Sequence, residues 1–389
     1  MFFYRIDILP SDIPDNMERL VALSEKYGLS GNLWHNYLAY TIAFAENVFS
    51  CMCEKKGEPD SSVTELAMCD FSEYIKLFSE DISDKLPKAV TDYHPANART
   101  SGIGDLAVRL SEIKEPEAFL HCVCEYYRKY GAGRFASGIA FRVDKKDGEV
   151  SLVPIESLED VRLDDIVGYE IQKKKLIDNT EAFLAGKNAN NVLLFGDSGT
   201  GKSTSIKAIL NEYKDAGLRM IEIYKHQFDC LSRVINIVKD RNYRFVIYMD
   251  DLSFEDFEIE YKYLKAIIEG GLEKRPDNVL IYATSNRRHL VREKYSDKEE
   301  RDDDLHTRDT VQEKLSLSAR FGVSIYYGSP DKKEYNNIVK TLADRQNIKI
   351  DEATLYLEAG KWELSHGGLS GRTASQFITY LMGVYSDNS

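Results

Sequence analysis

The chain has 389 residues, 43% hydrophobic and 30% charged, with 9 prolines. This globular composition excludes wholesale disorder and, at ~100–200 residues per domain, leaves room for two or three domains. Lys and Arg number 51 against 64 Asp and Glu, a formal net charge of −13, which argues against a protein that coats nucleic acid by charge alone and leaves room only for a local basic patch.

No apolar run approaches the ~20 residues that cross a bilayer. The most apolar stretch, residues 33–53, is interrupted by His35, Asn36, Glu46 and Asn47, and Asp7 and Asp12 break the N-terminus before a signal-peptide core can form. The expectation is a cytoplasmic protein without a membrane partner. Cys51, Cys53, Cys69, Cys122, Cys124 and Cys230 form two Cys-x-Cys pairs and two singles. Residues two apart on a helix face different ways, so reduced structural thiols are expected ahead of zinc ligands.

Residues 1–157 read as a mainly helical domain of unknown role. Met17, Leu20, Val21 and Leu23 fall at near-helical spacing, and a longer helix after Ser30 places Leu33, Tyr37, Ile42, Ala45 and Phe49 as buried candidates. Gly131-Ala132-Gly133 has the look of a phosphate loop, but no Gly-Lys-Ser/Thr follows, so a turn is expected.

From residue 158 the texture changes to short apolar runs alternating with helical periods, the pattern of β-α units around a parallel sheet. The runs are residues 192–195, 220–224, 245–249, 279–283 and 323–327. They predict an α/β fold with five parallel strands and helices on both faces over residues 158–329, with any ligand outside the carboxyl ends of the strands. Three helical periods close the chain and predict a helical lid over residues 330–389.

Gly196-Asp197-Ser198-Gly199-Thr200-Gly201-Lys202-Ser203 fits G-x-x-x-x-G-K-S/T and lies between a predicted strand and a helical run opening at Thr204. The glycines let successive N–H groups turn inward onto phosphate oxygens, and the helix start adds partial positive charge. Lys202 is expected on the β- and γ-phosphates, with the Ser203 hydroxyl on Mg²⁺. The 245–249 run ends in Asp250-Asp251; Asp250 is placed for the Mg²⁺ shell and Asp251 to activate water, with Glu255 as the rival base.

Asn286 ends the fourth run, where an amide can meet the γ-phosphate and position water. Arg320, just before the fifth run, is placed to face a neighbouring subunit's nucleotide, an intramolecular salt bridge being the competing reading; Arg372 opens the last helical period and is placed to reach the phosphates from the lid. Asp302-Asp303-Asp304 and His306 lie in a charged stretch read as a solvated loop rather than a second metal site.

This assembly resembles the AAA+ branch of P-loop ATPases from about residue 163 to 385. Gly196 to Ser203 is similar to Walker A and Asp250-Asp251 to the end of Walker B, although Asp251 stands where that family usually has Glu. Asn286 matches the sensor-1 position, Arg320 the arginine finger and Arg372 sensor 2. The resemblance implies that Val167-Gly168 flanks adenine. More narrowly, Asp250-Asp251-Leu252-Ser253-Phe254-Glu255 and Ala283-Thr284-Ser285-Asn286-Arg287-Arg288 look like an uncharacterised bacterial AAA+ family catalogued as domain of unknown function 815.

The resemblance implies ATP and ADP as ligands, Mg²⁺ as cofactor and a homo-oligomer. The expected activity is ATP hydrolysis coupled to remodelling of a macromolecular client, with ATP preferred to GTP because no Asn-Lys-x-Asp run occurs. The alternative is a nucleotide-gated binding module with little turnover; a small-molecule kinase fits the two arginines less well.

Overall fold

The computed structural model describes residues 2–3, 6–82, 87–96, 102–146, 148–155, 157–254, 260–269, 276–287, 290 and 317–385. The chain divides into two compact units, residues 1–138 with 240–243, and residues 139–239 with 244–389.

The first unit is helical: α1 (Met17–Tyr27), α2 (Leu33–Ala43), α3 (Val48–Lys56), α4 (Ser61–Ser79), α5 (Gly102–Glu112), α6 (Pro116–Tyr130) and α7 (Arg134–Ser137). The helix expected after Ser30 is two helices, because the Asn47 side chain accepts the Ser50 N–H at 2.9 Å and so caps a new start. Phe49 is buried on the second of them, whereas Leu33, Tyr37 and Ile42 are buried on the first. Trp34 is fully buried, its indole N–H donating to the Leu77 carbonyl at 3.0 Å. Gly131 and Gly133 have φ of +75° and +66° and form the expected turn. The Sγ atoms of Cys53 on α3 and Cys124 on α6 lie 3.3 Å apart.

The second unit is built on a seven-stranded sheet of order β2-β1-β4-β5-β6-β3-β7. The five strands expected are β3 (Val192–Gly196), β4 (Leu218–Glu222), β5 (Arg244–Met249), β6 (Val279–Ser285) and β7 (Val323–Tyr327), all parallel to their neighbours. Two further strands, β1 (Ala140–Lys146) and β2 (Glu149–Pro154), form an antiparallel hairpin whose first member pairs parallel with β4.

The hairpin extends the sheet to seven strands, two more than the five expected, and the compact units divide at 138/139. The two hairpin strands, β2 at the sheet edge and β1 between it and β4, are half exposed, and β1 ends in Asp144, Lys145 and Lys146, so they lack the continuous apolar run of a buried parallel strand.

Among the described residues, four helices accompany the strands: α8 (Glu170–Leu184), α9 (Lys202–Tyr213), α10 (Leu231–Val238) and α11 (Glu260–Glu269). Leu176 and Phe183 of α8 and Ile206 and Ile209 of α9 pack on Val192, Leu194, Val246, Leu280 and Ile325, one face of the sheet. Alternation along the strands turns Leu193, Ile247 and Ile281 to the other face, and they are buried as well. Because strands β3 to β7 run parallel, the ends of β3, β5 and β6 emerge along one edge.

The chain closes with α12 (Lys332–Arg345), α13 (Glu352–Ser365) and α14 (Gly371–Tyr385), packed around Tyr335, Ile338, Val339, Leu355 and Phe377. Val167, from the segment before α8, packs against this cluster. Arg345, in the last turn of α12, donates to the carbonyls of Asp164 at 2.6 Å and Asp165 at 3.3 Å.

Candidate functional site

The loop after β3 owes its path to glycine. At Gly196, φ is +136°, and a Cβ there would lie 2.1 Å from the Tyr327 carbonyl oxygen, which also accepts the Asp197 N–H at 3.0 Å. The chain thus lifts off the neighbouring strand at the one residue that allows it. Gly199 and Gly201 follow with φ of +75° and +91°, and among the described residues their N–H groups find no acceptor. Helix α9 starts at Lys202 with no side chain capping it, so its first-turn N–H groups are also open to a ligand.

Lys202 is only 6% exposed. Its Nζ donates to the Gly196 carbonyl at 3.0 Å, the Asp197 carbonyl at 2.6 Å and Asn286 Oδ1 at 3.0 Å, three neutral acceptors. Desolvation lowers its pKa, although Asp197, Asp251 and Asp250 pull the other way. The Asp197 carboxyl is held low by the Ser329 N–H, which donates to it at 2.7 Å.

At the end of β5, Asp250 Oδ1 accepts two hydroxyls, Ser203 Oγ and Thr284 Oγ1, each at 2.6 Å. Partial desolvation pushes the Asp250 carboxyl up, but these hydrogen bonds outweigh it and leave the pKa below the usual carboxylate value. Asp251 has a left-handed backbone, φ +48°. Its N–H donates to Thr284 Oγ1 at 2.9 Å, and its Oδ1 accepts Asn286 Nδ2 at 2.7 Å. An unbroken chain of hydrogen bonds therefore runs from Ser203 through Asp250, Thr284, Asp251 and Asn286 to Lys202.

These groups open into a cavity of about 570 Å³. The loop contributes Ser198, Gly199, Thr200, Gly201, Lys202, Ser203 and Thr204; the strand ends contribute Asp250, Asp251, Thr284 and Asn286. Ile166, Val167 and Tyr169 line it from the segment before α8, and Ile338, Leu342, Gly371, Arg372 and Ser375 line it from the last three helices. Ile166, Val167, Ile338 and Leu342 give it an apolar portion suited to a flat ring system, beside a polar portion of N–H groups, one ammonium and two carboxylates.

Most of the residues expected from the sequence meet here. Gly196 and Asp197 stand behind Lys202 as its acceptors, and Gly168, φ +82°, turns the chain between Val167 and Tyr169. Arg320 is exposed just before β7 and does not line the cavity. Glu255 lies outside the described residues, as do Asp302, Asp303, Asp304 and His306.

Sequence reasoning missed Tyr169, whose ring stacks on Tyr327 at 5.0 Å and whose hydroxyl donates to the Gly328 carbonyl at 2.8 Å. It also missed Ile338 and Leu342, four apart on α12 and readable as its apolar stripe but not as cavity lining.

Residues 136–385 match the model of a family described as "Protein of unknown function (DUF815)". Replication factor C large subunits of Methanococcus maripaludis and Methanococcus vannielii are 31% and 32% identical over 81 residues, 21% of this chain. That match spans 17% and 16% of their own lengths. Among solved structures, the chain is similar to the Thermotoga maritima RuvB Holliday junction branch migration motor, at 18% identity and a TM-score of 0.39 over 57% of this chain and 71% of that one. It is also similar to the FIGL-1 AAA domain in complex with ADP, at 18% identity and a TM-score of 0.39 over 60% and 76%.

Proposed function

The chain belongs to the DUF815 family, and from that premise we propose that it is an AAA+ ATPase that binds Mg²⁺-ATP and hydrolyses it. The observation that carries this reading is the Lys202 ammonium, buried among three neutral oxygens beside a loop in which the Gly199 and Gly201 N–H groups find no acceptor among the described residues. A desolvated cation with open amide donors is a site that calls for a polyanion. The triphosphate lies along Gly199, Thr200 and Gly201, with Lys202 turning from Asn286 to its β- and γ-oxygens. Val167, Ile338 and Leu342 take the adenine.

The donors around Ser203 fit a small divalent cation, because a hydroxyl and a carboxylate 2.6 Å apart are hard oxygen ligands. A bound Mg²⁺ would neutralise charge developing on the phosphates. Ser203 and Asp250 would hold it.

Asp251 accepts the proton of the attacking water while Asn286 orients that water toward the γ-phosphorus. As the new P–O bond forms, the bond to the β-γ bridging oxygen breaks and ADP leaves. Arg372 reaches the phosphates from the last helix. Arg320 acts on a neighbouring copy's nucleotide, a contribution of ~10³–10⁵ in rate where such arginines operate. The protein works in the cytoplasm as a homo-oligomer, and cycles of closure around ATP move a macromolecular client held partly by the helical first unit.

A second reading, a nucleotide-gated module with little turnover, is favoured by one observation. Asp251 is a methylene shorter than glutamate and its carboxylate is already engaged by Asn286 at 2.7 Å. Calorimetry with Mg²⁺-ATP and a phosphate-release assay at several protein concentrations separate the two. Binding plus concentration-dependent release supports the ATPase, binding with vanishing release supports the module, and absence of binding overturns both.

A further inference from the structure

We propose that Thr284 is a positioning residue whose single hydroxyl fixes both acidic residues at the end of β5 and thereby divides their roles. This rests on the ATPase reading for its kinetic consequence, though not for its geometry. The register of β5 on β6 pairs Met249 with Ala283, so Thr284 falls beside Asp250 where the strands end. Thr284 is 1% exposed. Its hydroxyl donates to Asp250 Oδ1 at 2.6 Å and accepts the Asp251 N–H at 2.9 Å, and its carbonyl accepts the Leu252 N–H at 2.7 Å. One residue thus holds three consecutive residues of the neighbouring segment.

A hydroxyl carries one proton and two lone pairs. With the proton committed to Asp250, a lone pair must face the Asp251 amide, so both bond directions are set by one torsion. Ser203 donates to the same Asp250 oxygen, which leaves Oδ2 with the remaining capacity for a cation's shell. Asp251 adopts φ +48°, a conformation that side-chain-bearing residues keep only where their surroundings over-determine it. Thr284 holds its backbone and Asn286 holds its carboxylate. Asp250 is thereby assigned to the cation and Asp251 to water, two carboxylates in sequence that would otherwise compete for either task. Valine has the shape of threonine and suits a strand equally well, but it offers neither bond.

The test compares Thr284→Val with Thr284→Ser in the full chain. Hydrogen exchange of the residue 250–252 amides, measured without nucleotide, should accelerate at least ~10-fold in Thr284→Val and stay within ~3-fold of the parent in Thr284→Ser. In turnover, Thr284→Val should lower kcat by ~10–100-fold and raise the Mg²⁺ concentration for half-maximal nucleotide binding several-fold, with nucleotide affinity in chelator unchanged. Serine should restore both. Unchanged exchange and Mg²⁺ midpoint in Thr284→Val, or a serine variant as impaired as valine, would overturn the assignment. If valine prevents folding, Thr284→Ala against Thr284→Ser poses the same question. The exchange measurement stands even if the chain proves to hydrolyse nothing.

Discussion

Asn286 donates from Nδ2 to Asp251 Oδ1 at 2.7 Å, joining the end of β6 to the residue proposed to activate water. The same carboxamide accepts from Lys202 through Oδ1 at 3.0 Å. Replacing Asn286 by Ala strips both neighbours of a partner without changing any residue of the phosphate loop, and leaves Lys202 its Gly196 and Asp197 carbonyl acceptors. The expected result is a kcat lower by ~10–100-fold with nucleotide affinity moved by less than ~3-fold, read from phosphate release and calorimetry.

Lys202 gives a pH prediction whose sign is fixed by its burial. Desolvation lowers its pKa from the ordinary 10.5, while a bound triphosphate favours the charged form and raises it again. Binding therefore takes up protons once the pH passes the lowered value, and affinity falls as pH rises further. Calorimetry in alkaline buffers of different ionisation heat should detect that uptake. Lys202→Ala should abolish both the uptake and most of the affinity.

Asp251→Gly separates strain from chemistry. The φ of +48° suits glycine, so the substitution should leave stability unchanged or raise it by up to ~1 kcal/mol, the relief being partly offset by greater freedom of the unfolded chain. Turnover should vanish. A thermal melt beside a phosphate assay checks both; a large drop in melting temperature would contradict the strain argument.

Gly196→Ala should act in the opposite sense on stability. Its Cβ would meet the Tyr327 carbonyl oxygen at 2.1 Å, and neither backbone can yield without opening the β3–β7 edge. A loss above ~2 kcal/mol in denaturant unfolding is expected.

Arg320 lies outside the cavity lining of its own chain, so its proposed role demands a partner. Arg320→Ala should bind nucleotide normally and lose ~10³-fold or more in turnover. Mixing it with Lys202→Ala protein should restore part of the activity, since one partner supplies an intact loop and the other an intact arginine. Failure of mixtures of the two assembled proteins to recover activity would remove the role in trans.

The legible parts of this molecule were those where one residue type answers one local demand. Gly196, Gly199 and Gly201 all take positive φ, and a strand followed by Gly-x-x-x-x-Gly-Lys-Ser displays that need directly. Strands β3 to β6 were visible because both of their faces are buried, and β7, at the sheet edge with Ser324 and Tyr326 exposed, because Val323, Ile325 and Tyr327 still make a short apolar run. The β1–β2 hairpin was not, since β1 ends in Asp144, Lys145 and Lys146 and β2 lies half exposed at the edge, so neither has such a signature. Within the site, Asp250 and Asn286 could be placed by their positions after apolar runs. The Thr284 bonds, the Tyr169 stack on Tyr327 and the contribution of Ile338 and Leu342 depend on strand register and on how separate helices meet, which spacing along the chain does not encode.

The Arg345 clamp on the carbonyls of Asp164 and Asp165 has a mechanical consequence. Val167 packs into the same three-helix cluster, while Leu163 sits in the core under the sheet and Lys173 of α8 donates to the Ile166 carbonyl at 2.8 Å, so the rim that carries Ile166 and Val167 is moored on both sides. The Arg372 N–H also donates to the Gly199 carbonyl at 3.1 Å. A displacement of the closing helices would therefore load the rim and the glycine loop together.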